Sequence, residues 1–289
     1  MDWLQAQKSL TTELLPLYGD REAAIITDWV LENLSGWKKI DRILHRSDPL
    51  SPETLAAYQR YTQELLSHRP VQYVLHESWF AGMKLYVDEN VLIPRPETEE
   101  LVEWVLADTS SSPHSSPAGT HTILDVGTGS GCIAIALAKQ LLTSEIHACD
   151  LSPNALEVAR RNATTQNTPV TFHEVDFLNP KTWQTFPPIT CLVSNPPYIP
   201  QNEKALMATH VTDFEPGQAL FVPNDDALLF YRALSRFARE HMPGGSQLFV
   251  EIHEEMGEQV HHLFVSAGLN NVTLRQDLQG KDRMVKATT

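Results

Sequence analysis

From Thr122 to the end of the chain, short apolar stretches alternate with helix-forming stretches, and this alternation restricts the fold more than any other feature of the 289 residues. Strands that alternate with helices are typical of a parallel sheet covered by helices. The last two strands are expected to pair antiparallel at one edge. We therefore predict an α/β domain with a mostly parallel, seven-stranded sheet. The predicted strands are residues 122–126, 145–149, 170–174, the run that ends at Asn195, and residues 246–252, 271–276 and 283–287.

Three segments are predicted along the chain. Residues 1–69 carry apolar side chains at helical spacing and are expected to form a small all-α N-terminal domain. Residues 70–94 are rich in strand formers, from Tyr73 to Ile93, and are expected to form a β-hairpin linker. Residues 95–289 are expected to form the α/β domain. Within it, the Ser- and Pro-rich residues 108–120 are predicted to be a flexible surface connection.

Composition disfavours several classes of protein. The formal net charge of −14 counts against naked nucleic acid as the main partner, because such proteins usually carry a basic patch. No apolar run approaches the ~20 residues that span a bilayer, and the N-terminus lacks the layout of a signal peptide. The spacing of Cys132, Cys149 and Cys191 fits neither a zinc site nor a disulfide framework. We therefore expect a cytoplasmic protein with no metal and no membrane, whose partner is a protein or a small ligand.

The first predicted strand leads into a glycine-rich loop, Asp125-Val-Gly-Thr-Gly-Ser-Gly131, that opens a helix. Glycines allow a tight turn and a close approach of ligand to backbone. The G-x-G-x-G spacing differs from the dinucleotide fingerprint, and the lysine of a phosphate-binding P-loop is missing. A carboxylate at position 125 suits a ligand with a cationic amine. The residues expected to bind the cofactor here are Asp125, Gly127, Thr128, Gly129, Ser130 and Gly131.

Acidic residues also follow the second and third predicted strands. Asp150 is placed to accept from two ribose hydroxyls, and Asp176 is placed to accept from an adenine amino group while Phe177 covers the ring. An aspartate at a strand end is also a common turn or helix cap. An amine, a ribose and an adenine together describe S-adenosyl-L-methionine, whose demethylated product is S-adenosyl-L-homocysteine. Leu151 and Asn195 complete the predicted cofactor-binding residues.

The fourth predicted strand stops at Asn195-Pro196-Pro197-Tyr198, because the proline pair can continue neither a strand ladder nor a helix. The carboxamide oxygen of Asn195 and the carbonyl oxygen of Pro196 offer two acceptors on a stiff turn, which can hold both hydrogens of an –NH2 group. Such positioning lets a weak nitrogen nucleophile attack an electrophilic carbon. We predict Asn195, Pro196 and Tyr198 as catalytic residues, with Tyr198 as a flat wall, and all four residues as substrate-binding. The alternative is a plain loop turn.

With these motifs the chain resembles the class I S-adenosylmethionine-dependent methyltransferases, and more closely the peptide chain release factor N5-glutamine methyltransferases. The resemblance implies a Rossmann-like class I methyltransferase domain that methylates the side-chain amide nitrogen of the glutamine in the Gly-Gly-Gln motif of class I release factors. It also implies that residues 1–69 hold the release factor. The strings that carry it are Arg69-Pro-Val-Gln-Tyr73, Leu92-Ile-Pro-Arg-Pro-Glu-Thr-Glu99, the glycine loop, Asp150-Leu-Ser-Pro-Asn154, Ser194-Asn-Pro-Pro-Tyr198, Phe214-Glu-Pro216 and Gly280-Lys-Asp-Arg283.

The sequence departs from this family at a few positions. His76 and Ala227 stand where the family usually has glycine, and residues 108–120 form a longer connection than usual. None of these positions belongs to the predicted cofactor or substrate site. Three alternatives stay open at this point: glutamine methylation of a ribosomal protein, methylation of an amino group of nucleic acid, and a cofactor-binding protein without turnover.

Overall fold

The computed structural model describes residues 1–109 and 121–289. The described chain divides into two compact units. The first unit is Met1–Glu77 together with Ala208–Phe214, and the second is Ser78–Met207 together with Glu215–Thr289. Most of the predicted flexible connection, residues 110–120, lies outside the described residues, whereas residues 108 and 109 are helical.

The first unit is helical. Its first helix begins at a capping box, in which the Asp2 carboxylate accepts from the Gln5 N–H at 2.7 Å and the Gln5 side chain accepts from the Asp2 N–H at 3.0 Å. Gly19, with φ of 70°, kinks this helix, and Gly36 ends it in a left-handed conformation. The helices are α1 (Trp3–Ser35), α2 (Lys39–Leu44), α3 (Pro52–Leu66) and α4 (Val71–Leu75), with α8 (Thr209–Thr212) contributed from later in the chain.

The segment predicted as a hairpin linker differs from the structure at its start. Residues 71–75 form helix α4 rather than a strand. Pro70 is its N-cap residue, and the Pro70 carbonyl oxygen accepts from the N–H groups of Tyr73 and Val74 at 2.9 and 3.0 Å. His76 ends α4 with φ of 53°, which explains why a glycine suits this position. The hairpin itself is short, and consists of β1 (Ser78–Phe80) paired antiparallel with β2 (Met83–Leu85).

The second unit contains, within residues 1–109 and 121–289, the predicted seven-stranded sheet. Six of the seven strands run in the same direction. The exception is β11 (Asp282–Thr288), which pairs antiparallel with both β9 (Gln247–Glu251) and the edge strand β10 (Asn270–Gln276), and this arrangement confirms the fold class predicted from the sequence. The order across the sheet is β10-β11-β9-β6-β3-β4-β5. These strands are β3 (Thr122–Val126), β4 (Glu145–Asp150), β5 (Thr171–Glu174), β6 (Cys191–Ser194), β9 (Gln247–Glu251), β10 (Asn270–Gln276) and β11 (Asp282–Thr288), and a separate parallel pair joins β7 (Ile199–Pro200) to β8 (Phe221–Val222).

Helices cover both faces of the sheet. Alternate side chains of β3 enter two separate cores, since Ile123 packs with the apolar residues of α6 and Leu124 packs with those of α9. No helix of the described chain combines the length and the apolar character that a membrane span requires. The helices of this unit are α5 (Pro96–Thr109), α6 (Cys132–Gln140), α7 (Pro153–Gln166), α9 (Leu229–His241) and α10 (Gly257–Ser266).

Candidate active site

A cleft lies in the second unit at the carboxyl ends of β3, β4, β5 and β6, where open α/β sheets bind ligands. It holds about 870 Å³ of empty space, including space open to solvent. The wall formed by strand ends contains residues 126, 127, 129, 149–151, 175–178 and 194–197, and the remaining wall contains residues 90–92, 155, 216, 218, 219 and 230.

The glycine loop forms part of this wall and leaves room for a ligand. Gly127 and Gly129 have φ of 72° and 52°, and a Cβ atom on either would meet no atom within 4 Å. The backbone N–H groups of Gly127 and Thr128 donate to the carbonyl oxygen of Cys149 at 2.9 and 3.0 Å. Since these N–H groups are engaged inside the protein, the loop suits a nucleoside ligand without a diphosphate better than a dinucleotide.

Asp125 is buried and organises the loop from the protein side. Its Oδ2 atom accepts from the Thr128 hydroxyl at 2.6 Å and from the Ala134 N–H at 3.3 Å, which joins the loop to the start of α6. Its Oδ1 atom is buried and accepts no hydrogen bond from the described residues. Burial raises the pKa of the Asp125 carboxyl to about 7. The side chain does not line the cleft, so its predicted contact with a cofactor amine stays a prediction.

Asp150 lines the cleft at the end of β4 and holds the glycine loop in place. Its Oδ2 atom accepts from the Gly129 N–H at 2.9 Å, and its Oδ1 atom accepts from the Ser152 N–H at 2.9 Å. Burial raises the pKa of this carboxyl above its ordinary value. Each carboxylate oxygen retains further acceptor capacity, which fits the two hydroxyls of a ribose. The neighbouring Leu151 is 61% exposed and also lines the cleft.

Asp176 and Phe177 form the cleft wall after β5. Asp176 is exposed, and its Oδ1 atom accepts from the Leu178 N–H at 3.0 Å. Phe177 is buried, with its ring centroid 5.7 Å from that of Trp183 and 5.3 Å from that of Phe237. The Phe177 ring is therefore held rigidly by an aromatic cluster, and Asp176 presents an acceptor beside it.

Asn195 and Pro196 present the predicted pair of acceptors at the end of β6. The Asn195 Nδ2 atom donates to the Thr98 hydroxyl at 3.0 Å, which orients the carboxamide. No described residue donates to the Asn195 Oδ1 atom or to the Pro196 carbonyl oxygen, and both residues line the cleft. This arrangement leaves two oxygens available for the hydrogens of an –NH2 group.

Two polar residues next to Asn195 were missed in the sequence. Thr98 lies in the string Leu92–Glu99 and Glu251 in the predicted strand 246–252, and neither was predicted as a site residue. Both are buried, and the Thr98 hydroxyl donates to the Glu251 Oε2 atom at 2.6 Å. Burial raises the pKa of the Glu251 carboxyl to about 7. The sequence does contain one signal for Glu251, because an ionisable residue at the end of an apolar strand, on the same sheet edge as Asn195, indicates a functional site.

The structure does not bring Tyr198 to the cleft wall. Its hydroxyl donates to the Glu251 Oε1 atom at 3.3 Å, and its ring packs edge-on against His253 with 6.0 Å between centroids. Pro197, in contrast, lines the cleft. The other predicted loop residues Thr128, Ser130 and Gly131 are buried and lie outside the cleft lining.

An ion pair between the partly exposed Arg95 and the buried Glu215 connects two loops that contribute to the cleft. The Arg95 guanidinium donates to the Glu215 Oε1 atom at 2.6 Å, and the Ile93 N–H donates to its Oε2 atom at 3.1 Å. Residues 90–92 precede this pair in one loop, and Pro216 follows it in the other. Two strings of the family resemblance, residues 92–99 and residues 214–216, therefore meet here. Among the described residues, no group of three or more histidine, cysteine, aspartate or glutamate side chains is arranged to bind a metal ion.

Comparison with known proteins identifies relatives along nearly the whole chain. The family model described as PrmC N-terminal domain matches residues 6–75, and the model described as Methyltransferase small domain matches residues 112–215. A release factor glutamine methyltransferase from Flavobacterium psychrophilum is 37% identical over 94% of this chain and 94% of its own length. One from Lactococcus lactis is 33% identical over 99% of both chains.

Among solved structures, a methyltransferase from Pyrococcus furiosus matches with a TM-score of 0.50. The match covers 80% of this chain and 98% of that one at 13% identity, so it concerns the fold alone. Together with the family models, it agrees with the class I methyltransferase fold expected from the sequence.

Proposed function

Since the chain belongs to the release factor glutamine methyltransferase family, we propose that it transfers a methyl group from S-adenosylmethionine to the N5 amide nitrogen of the glutamine in the Gly-Gly-Gln motif of class I peptide chain release factors. The observation that carries this proposal is the acceptor pair at the cleft, the Oδ1 atom of Asn195 and the carbonyl oxygen of Pro196. The protein is an S-adenosylmethionine-dependent protein-glutamine methyltransferase.

An amide nitrogen is a weak nucleophile, so its position matters more than a strong base. The two acceptors would hold both hydrogens of the amide and leave a face of its nitrogen free for the methyl donor. Transfer replaces one N–H hydrogen by a methyl group, and the hydrogen leaves as a proton. The sulfonium centre of S-adenosylmethionine supplies the electrophilic methyl group when it is bound.

The residues of the cleft fit this cofactor. Asp150 offers acceptors for the ribose hydroxyls, and Asp176 beside the fixed ring of Phe177 offers an acceptor and an apolar surface for adenine. The open space beside Gly127 and Gly129 accommodates the ligand against the backbone. The demethylated product, S-adenosylhomocysteine, keeps the same ribose and adenine groups and is expected to compete for the same residues.

We assign docking of the release factor to the helical N-terminal residues 1–69. Helix α2 presents three exposed apolar side chains, Ile40, Ile43 and Leu44, with exposed fractions of 63%, 53% and 74%. An exposed apolar cluster on a short helix is typical of a protein contact surface. The substitution Leu44→Asp is expected to raise the KM for the release factor several-fold without changing cofactor affinity. Leu142→Asp, at an 85% exposed leucine of the second unit, serves as the control.

We also place the protein in the cytoplasm, because the proposed substrate acts on translating ribosomes there. The three cysteines support a reducing compartment, since Cys132, Cys149 and Cys191 are buried thiols without a disulfide.

The function is tested with methyl-labelled S-adenosylmethionine and purified class I release factor, ribosomes or nucleic acid as separate acceptors. We expect label in the release factor, on the glutamine of Gly-Gly-Gln, and a loss of label when this glutamine is replaced by alanine. Label that enters only ribosomal protein or only nucleic acid would refute the proposed substrate. No label with any acceptor would favour a cofactor-binding protein without turnover.

A further inference from the structure

Asn195 is connected to a buried carboxyl group that the proposed reaction does not itself require. The Asn195 Nδ2 atom lies 3.0 Å from the Thr98 Oγ1 atom, and that atom lies 2.6 Å from the Glu251 Oε2 atom. Thr98 is 2% exposed and Glu251 is 1% exposed, so solvent does not compete for these bonds. Three elements of the second unit meet here, since Thr98 lies in α5, Asn195 follows β6 and Glu251 ends β9.

The donor and acceptor roles in this connection follow from the chemistry of the groups. An ionised carboxylate only accepts hydrogen bonds, so the single hydroxyl hydrogen of Thr98 is directed to Glu251. The Thr98 oxygen can then only accept from Asn195, which requires the –NH2 group of the carboxamide on that side. The Asn195 oxygen is consequently turned toward the cleft. Without this constraint, the two ends of a carboxamide have nearly the same shape and either could face the substrate.

We propose that Glu251, acting through Thr98, fixes the orientation of the Asn195 carboxamide so that the site accepts the –NH2 group of a primary amide. This inference rests on the proposed function and adds two positioning residues to it. The reversed carboxamide would present hydrogens to the hydrogens of the substrate amide. The Glu251–Thr98 pair therefore selects the nitrogen end of the substrate glutamine.

The surroundings of Glu251 allow its ionisation to control this orientation. The titratable and charged groups that face it in the described chain are Glu97, Cys132, Tyr198, Tyr231 and Arg283. Burial raises the pKa of Glu251 to about 7, and the Thr98 hydroxyl and Arg283 oppose that rise. A protonated Glu251 can donate to Thr98, and the Thr98 hydroxyl then donates to Asn195 instead. Turnover is therefore expected to rise with pH through this range.

The first test replaces Thr98 in the full-length protein, with labelled S-adenosylmethionine and purified release factor. Thr98→Val keeps the shape of the side chain and removes the hydroxyl, and it is expected to lower kcat by about 10- to 100-fold. Thr98→Ser restores the hydroxyl and is expected to retain kcat within a few-fold. Cofactor affinity measured by calorimetry is expected to change little in either variant.

Thr109→Val is the matched control, because Thr109 is a buried threonine of the same helix whose hydroxyl donates to the Val105 carbonyl oxygen. Its kcat is expected to equal that of the wild type. Equal kcat for Thr98→Val and the wild type would overturn the inference, as would equal losses in Thr98→Val and Thr98→Ser. A wild-type protein that does not methylate release factor would refute the proposed function. An active wild type with an equally active Thr98→Val variant would refute only the role of Thr98 and Glu251.

The second test uses pH. In Glu251→Gln, the side chain no longer titrates and can either donate to or accept from Thr98, so both orientations of Asn195 become populated. We expect a several-fold lower kcat at pH 8 and loss of the wild-type inflection near pH 7. An inflection that persists unchanged in Glu251→Gln would contradict control by Glu251. This readout does not depend on how much the Thr98 variants are destabilised.

Discussion

The Nδ2 atom of Asn162 donates to the carbonyl oxygen of Ser130 at 2.9 Å and thereby joins helix α7 to the glycine loop. The same Nδ2 atom donates to the Tyr86 carbonyl oxygen at 2.9 Å, and the Oδ1 atom accepts from the Tyr86 N–H at 2.7 Å. Asn162 is 1% exposed, and its carboxamide satisfies three backbone groups, the Ser130 carbonyl oxygen and both polar groups of the Tyr86 backbone. This contact fixes the glycine loop at Ser130, which lies outside the cleft lining.

Asn162→Asp is expected to destabilise the protein by about 2–4 kcal/mol, because two buried carbonyl oxygens lose their donor and face a carboxylate oxygen instead. Urea unfolding of both proteins measures the difference. Asn154→Asp, at an exposed position in the first turn of the same helix, is the control and is expected to change the free energy of unfolding by less than about 0.5 kcal/mol. Similar losses in both variants would contradict the role of Asn162.

Asp150→Ala is expected to weaken the binding of S-adenosylmethionine by about 10- to 100-fold, because hydrogen bonds to a charged group contribute about 1.5–3 kcal/mol. Calorimetry with the purified protein measures this affinity. Asp225→Ala removes the same charge from an exposed position outside the cleft lining and is expected to bind the cofactor normally. Full affinity in Asp150→Ala would show that the ribose is held elsewhere.

Replacing Arg95 and replacing Glu215 are expected to lower the free energy of unfolding by different amounts. Arg95→Met removes the cation from the Glu215 carboxylate, whose side chain is 1% exposed, and leaves it with only the Ile93 N–H as a donor. This variant is expected to lower the free energy of unfolding by about 2–3 kcal/mol. Glu215→Gln removes the buried charge, can still accept from the Ile93 N–H, and is expected to cost about half as much. Urea unfolding of the two variants provides the comparison, and a larger loss in Glu215→Gln would contradict the account.

Stability without cofactor is expected to depend on Glu251 in a defined pH range. Its pKa is raised from 4.5 to about 7 in the folded protein, so the folded state binds more protons than the unfolded state between these values. The free energy of unfolding therefore falls as pH rises from about 4.5 to about 7. Glu251→Gln is expected to have a shallower slope in urea titrations over this range. An identical slope in both proteins would show that Glu251 does not titrate there.

Much of the fold was predictable because its signals are local. The strands from β3 to β6 are short segments followed by a glycine loop, an aspartate or a proline pair, and Asp150, Asp176 and Asn195 line the cleft at the expected sheet edge. Helix α4 was missed, because strand-forming side chains such as Tyr73 gave the wrong period and only the position of Pro70 favours a helical turn. Local propensity was overridden there by packing in the helical unit.

The active site was predictable only for residues that line it from their own strand. Asp150 and Asn195 line the cleft as expected, and their roles in binding stay predictions. Thr98 and Glu251 are far from Asn195 in sequence, and their role depends on hydrogen bonds between three elements, which no local pattern reveals. The positions of Asp125 and Tyr198 outside the cleft lining also depend on tertiary packing. The Asp125 carboxylate accepts from the Thr128 hydroxyl, and the Tyr198 hydroxyl donates to Glu251.

The central claim is that Asn195 holds the substrate amide while other residues hold the cofactor. It is tested most directly by Asn195→Ala, with transfer of labelled methyl groups to release factor and cofactor affinity measured on the same preparation. We predict a loss of turnover of at least about 100-fold with cofactor affinity within a few-fold of the wild type. Unchanged turnover, or a loss of turnover explained entirely by lost cofactor binding, would contradict the account.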